Sequence, residues 1–243
     1  MRDVRQAAGR SQDVTVIRQF KEGLRYVYRF RPIRSLMVLL ALVSLLGIPF
    51  SVLMPVFAND VLGGGPYTLG FLMTATGGGA LAGALWLAAR RSVLGLGRVI
   101  LYATCLFGAG LIAFSFSRVL WLSVLLLLVA GFGMMVQFAS SNTVIQTLVD
   151  DSKRGRVMSF YTMCFLGTAP FGSLIAGFLS ARIGAPHTVF ASGVCCVAAA
   201  AWFSRELPAI RLLVRPIYRQ MGILPEVATG LQSASQLMTP PED

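Results

Sequence analysis

VLWLSVLLLLVAGFGMMVQFASSNTVIQTLV, residues 119–149, runs for 31 positions without a charged side chain. As an α-helix it would reach about 46 Å, well beyond the ~30 Å hydrocarbon thickness of a bilayer. A soluble surface helix is apolar along one stripe only, and this stretch is apolar on all sides as far as Gln137. It therefore reads as a membrane-spanning helix. Its C-terminal part, with Gln137, Asn142 and Gln146, is expected to continue past the hydrocarbon into the interface.

Five more uncharged stretches flank it, at 35–59, 61–89, 99–117, 157–181 and 183–204. The shortest has 19 residues, within the range of about 17–25 that a helix needs to span. Six spans and short turns fill most of the 243 residues and leave no room for a large soluble domain. Composition agrees, with 56% hydrophobic and 13% charged residues. The expected fold is an all-α integral membrane protein with six transmembrane helices. Residues 1–34 form a basic amphipathic segment, 35–204 the six-span domain, and 205–243 a basic and then disordered tail.

The formal charge of +11 would suggest nucleic acid in a soluble protein, but the positions of the cations point to lipid. Of the Lys and Arg residues, 19 fall on one side of the expected topology and two, Arg118 and Arg182, on the other. By the positive-inside rule both termini lie in the cytoplasm of a plasma (bacterial inner) membrane, and nucleic acid is not an expected partner. The first 34 residues show no cleavable signal peptide, so insertion should rely on the first span. Arg18, Lys21, Arg25 and Arg29 oppose Ile17, Phe20, Leu24 and Val27, as in a helix lying on the membrane surface. Arg211, Arg215 and Arg219 repeat at four-residue spacing after the last span, where Pro216 should interrupt any helix. Cys105, Cys164, Cys195 and Cys196 all fall inside apolar runs and read as core residues.

No Asp, Glu, Lys or Arg stands at bilayer depth within the spans, so this chain offers no evident proton relay. The one histidine, His187, sits at a turn. Neither a catalytic constellation, a metal centre nor a cofactor is expected, and an enzyme is not the reading. Uncharged polar side chains remain as candidates for a substrate path: Ser44, Ser51, Gln137, Ser141 and Asn142. In the fourth span Gln137 and Ser141 share one face, and Asn142 and Gln146 another. Interhelical hydrogen bonding is the other role open to each.

Two loops stand out. The turn DDSKRGRVMS, 150–159, offers Asp151 or Ser152 to cap the fifth span, Gly155 to turn the backbone, and Lys153, Arg154 and Arg156 to hold the headgroups. Arg90 and Arg91 occupy the turn between the second and third spans. Pro49 and Pro55 should bend the first span and Pro170 the fifth. The second and fifth spans are both rich in glycine, and GGGALAG at 77–83 is the densest run. Corresponding glycine-rich middle spans fit a three-plus-three inverted repeat.

FKEGLRYVYRFRPIRSL (20–36), LMPVFANDVLGGGPYTLGFLMTATGGGALAG (53–83), QTLVDDSKRGRVMSFYTM (146–163) and PFGSLIAGFLSARIG (170–184) carry a family likeness. Across residues 20–204 the chain resembles the C-terminal six helices of the major facilitator superfamily, particularly the bacterial transmembrane secretion effector branch that includes the enterobactin exporter. The resemblance implies that the first and fourth spans line a cavity, the second and fifth flank the interface between halves, and the third and sixth give support. It implies proton-driven efflux of a small molecule such as a siderophore or drug. It also implies a partner, either an N-terminal six-helix half or a second copy, and makes residues 1–34 look like a central loop. The family's glycine–acid–arginine motif is present only as Gly83, Arg90, Arg91 and Arg98, with Leu87, Ala88 and Ala89 where the acid would stand. A non-transporting membrane scaffold is the alternative, marked by a dry, fully packed interior.

Overall fold

The computed structural model describes residues 28–90 and 92–220. The amphipathic stripe before Tyr28, Arg91, and the tail expected at 224–243 lie outside the described residues. All described elements are helical, and six helices are long and apolar enough to cross a membrane: Arg31–Val61, Pro66–Ala88, Leu96–Phe116, Leu120–Leu148, Lys153–Ile183 and Ala185–Arg215. Their connections are tight. Gly95 at φ +78° precedes the third span, Gly184 at φ +84° joins the fifth to the sixth, and Pro66 opens the second with a nitrogen that has no N–H and needs no acceptor.

The first span is one helix of changing pitch. It is α over Arg31–Leu42, widens to π at Val43–Gly47, tightens to a 3-10 helix at Ile48–Leu53, and widens again at Phe57–Val61. Pro49 and Pro55 fall in the middle of this irregular part, and neither can supply a backbone N–H to the carbonyl one turn before it. The fifth span consists of two helices, Asp151–Leu166 and Ala169–Ile183, separated at Gly167–Thr168. Pro170 opens the second of these, so the Leu166 carbonyl lacks its helical donor and the chain breaks there.

Two expectations are corrected. The segment 150–159 is helix from Asp151 onward, with Gly155 inside it, so Gly155 does not form a turn. Asp150 takes the N-cap position and makes no side-chain cap bond, while Asp151 pairs with Arg154 instead of capping. The last helix does not stop at Pro216 but continues over Ala185–Gln220, through Pro208 as well. Near and beyond the headgroups, water can satisfy the carbonyls that prolines leave without a donor, which removes much of their cost.

The second and third spans both pack on the fourth, the third also packs on the sixth, and the first lies against the fifth and sixth. Glycine makes the closest crossings possible. A Cβ at Gly79 would overlap the Leu128 carbonyl oxygen, one at Gly131 the Thr76 carbonyl, and one at Gly172 the Leu45 carbonyl. Gly108 and Gly193 face each other reciprocally, each Cβ position lying 2.7–2.8 Å from the other's carbonyl oxygen. Phe57, Phe107, Phe114 and Phe203 are fully buried, with the Phe57 and Phe114 rings 4.5 Å apart. Large apolar side chains such as Trp121, Leu174 and Phe178 point outward, as a lipid-facing surface requires.

Candidate functional site

Most hydroxyls in the spans satisfy themselves locally. Thr76, Thr104, Thr143 and Thr188 each donate to the carbonyl four residues earlier, which commits their one hydroxyl proton within the helix. One face of the fourth span is the exception. Gln137, Ser140 and Ser141 are all 0% exposed, and the Gln137 amide and both serine hydroxyls have no hydrogen-bond partner among the described residues. Each such group costs roughly 1–3 kcal/mol when buried unpaired.

The five path candidates do not gather in one chamber. Gln137 and Ser141 share the buried face of the fourth span, joined by Ser140, which the sequence reading passed over. Asn142 lies half-buried on another face, and its Oδ1 accepts a 2.6 Å bond from Gln146 Nε2. Ser51 is exposed and donates to the Ile48 carbonyl at 3.0 Å. It lines a cavity of about 180 Å³ between the first, second and fourth spans, together with Phe50, Met54, Met73, Thr76 and Met134. Ser44 is fully buried and donates across to the Phe165 carbonyl of the fifth span.

That last bond belongs to a knot joining three spans. The Phe165 ring stands edge-on to Phe138 at 4.6 Å, and Tyr161 Oη donates to the Phe138 carbonyl at 3.0 Å. The first, fourth and fifth spans thus meet one turn before the break at Gly167–Thr168. Only the aromatic spacing FYTMCF at 160–165 hinted at this in the sequence.

At the basic end Arg90 is committed to its own loop. Its Nη2 donates to the Leu94 carbonyl at 2.7 Å, its Nε to Ser92, and its guanidinium lies over the Trp86 ring. Arg154 and Asp151 form a 2.7 Å pair, and Lys153 lies 3.9 Å from Asp150; both pairs are exposed and add little stability. Arg156 and Gly155 are exposed on the same helix. A further contact had no sequence signal beyond a lone acid among bases. Glu206 near the end of the last span receives Arg31 Nε at 2.9 Å, Arg31 Nη2 at 3.1 Å and Ser35 Oγ at 3.2 Å. It fastens the start of the first span to the last.

The multidrug efflux pumps Tap of Mycobacterium tuberculosis and of Mycobacterium bovis are each 31% identical over 195 residues. The match covers 79% of this chain and 45% of each pump, so the chain spans about half the length of the curated relatives it matches. No solved structure matches it. Residues 3–215 fit the profile of the transmembrane secretion effectors, and the chain belongs to that family of major facilitator proteins.

Proposed function

We propose that this chain works as a six-helix half of a secondary transporter that expels small molecules across the plasma membrane, with both termini in the cytoplasm. The observation that carries the half-transporter reading is an imbalance of burial. Of the most apolar window in the second and fifth spans only 22% and 11% of residues are buried, against 39–56% in the other four. These two spans also leave Gly77, Gly78 and Gly177 facing open space, an approach surface for other helices. An N-terminal six-helix half, or a second copy, would cover them.

The packing supports a three-plus-three inverted repeat. Exchange of the first span with the fourth, second with fifth and third with sixth turns the second-on-fourth packing into fifth-on-first, and third-on-fourth into sixth-on-first. The glycine crossings follow the same exchange: Gly79 against the Leu128 carbonyl answers Gly172 against that of Leu45, and Gly108 with Gly193 answers itself.

A drug-like substrate is favoured by the cavity at Ser51. Met54, Met73 and Met134 line it beside Phe50, and flexible thioethers adapt to ligands of different shape. The efflux names of the relatives point the same way. The scaffold reading draws on the full burial of Gln137, Ser140 and Ser141. Unpaired polar groups are nonetheless a poor choice for a permanently closed interior, and they suit a side that water or substrate reaches in a second conformation. Dye and siderophore efflux from cells expressing the chain alone, or with a separate N-terminal six-helix partner, tests the proposal. Transport in either case supports it, and silence in both with good membrane expression favours the scaffold.

A further inference from the structure

A cavity of about 350 Å³ opens at the basic end between the first, third, fourth and sixth spans, in the lower part of the volume range of about 300–1,000 Å³ usual for small-molecule sites. Its wall is apolar, with Leu36, Ile100, Val144, Phe203, Leu207 and Val214 among the lining side chains. Its charged lining consists of Arg98, Arg211 and Arg215, with no acid beside them. All three are exposed, and among the described residues none of their guanidiniums has a hydrogen-bond or ion-pair partner. Arg90, by contrast, is tied to the loop carbonyls and Glu206 to Arg31, so neither competes for the site.

The layering is vertical. Arg98 lies in the first turn of the third span, and Arg211 and Arg215 lie one turn apart beyond the apolar part of the sixth, so all three stand at the basic end of the bundle. Phe203 and Leu207 continue the wall toward the hydrocarbon along the same helix face. An anion above an apolar slot matches a phosphodiester above an acyl chain. We infer that this cavity holds one anionic phospholipid, its phosphate on Arg98, Arg211 and Arg215 and one acyl chain in the slot. A zwitterionic lipid would bring its own cation to the three guanidiniums and fit less well. The acids Glu226, Glu242 and Asp243 of the chain's own end are the competing occupant.

The test is native mass spectrometry of the full detergent-solubilised chain, titrated with phosphatidylglycerol or with phosphatidylcholine of identical acyl chains. The first phosphatidylglycerol is expected to bind tightest, and the R98Q/R211Q/R215Q triple variant to weaken it about a hundredfold without changing phosphatidylcholine. Leu207→Trp, which fills the slot and leaves the charges, should also abolish that first tight event, whereas R118Q/R182Q at the opposite end should leave it intact. Millimolar inorganic phosphate should not displace the lipid, because the acyl chain supplies part of the affinity. Equal binding of both lipids, or unchanged phosphatidylglycerol binding by both the triple and the Leu207 variants, overturns the inference. Displacement by phosphate alone reduces the site to an anion site and also overturns it. A tenfold or greater gain in lipid affinity on neutralising Glu226, Glu242 and Asp243 in the full chain would assign the cavity to the tail instead.

Discussion

The second and fifth spans are alike in exposure and differ in build. Both are thinly buried, and both use glycine to reach a neighbouring span's backbone, most closely at Gly79 against Leu128 and at Gly172 against Leu45. The second is an unbroken helix over Pro66–Ala88, whereas the fifth is divided at Gly167–Thr168. The partner spans differ in the matching way. Leu128 belongs to a regular 29-residue helix, and Leu45 to a π-widened turn of the first span. One crossing joins two stiff rods, and the other joins two helices that can each change local pitch. A side chain forced into the stiff crossing has nowhere to go, and one forced into the jointed crossing can be accommodated by a small backbone shift.

Five substitutions sharpen or break this contrast, read as thermal unfolding of the chain in a fixed detergent. Gly79→Val should be the most damaging, at about 3 kcal/mol, because its side chain meets backbone on a helix without a joint. Gly172→Val meets backbone just as closely, and the expected loss is smaller, about 1–2 kcal/mol; equal losses would mean that the break at Gly167–Thr168 is not compliant. Ser44→Ala removes the hydroxyl that ties the first span to Phe165 just before the break, for about 0.6 kcal/mol. Removal of that tie should make Gly172→Val milder still in the double variant, a coupling absent between Ser44→Ala and Gly79→Val. No loss is expected from Gly77→Ala or Gly177→Ala, which face open space and should leave the lone chain unchanged or up to about 1 kcal/mol more stable. The same pair should weaken co-purification with an N-terminal half if these faces dock one; unchanged co-purification would place the docking surface elsewhere.

Charges made the spans legible. Each of the six described helices contains or closely matches an uncharged stretch, because a chain crossing lipid cannot afford ionised groups at depth. Charges mark where the bilayer stops and not where a helix stops. The fifth span therefore begins at Asp151, inside what looked like a basic turn, and the sixth runs to Gln220. Pro49, Pro55 and Pro170 located the irregular segments correctly, since a missing N–H acts locally whatever surrounds it. The interior of the site was less accessible. Whether Gln137 finds a partner depends on which helices face it and at what height, and side-chain spacing along one helix carries no such information. Asn142 and Gln146 could be paired because their contact is internal to the fourth span. The Arg31–Glu206 clasp joins residues 175 positions apart and required the closed bundle to become visible.

The last helix, at 36 residues, is about 54 Å long. From Ser204 to Gln220 it projects roughly 24 Å beyond its apolar part, at a rise of about 1.5 Å per residue. Mechanically that projection is a pointer: a 10° tilt of the sixth span would swing its tip by about 4 Å, by simple geometry on that length. Arg31 holds the shaft at Glu206, near the base of the pointer, so the swing would register motion of the first and sixth spans together. A spin label near position 220, measured against one near Arg118 at the far end, would convert a small internal rearrangement into an easily resolved change of distance.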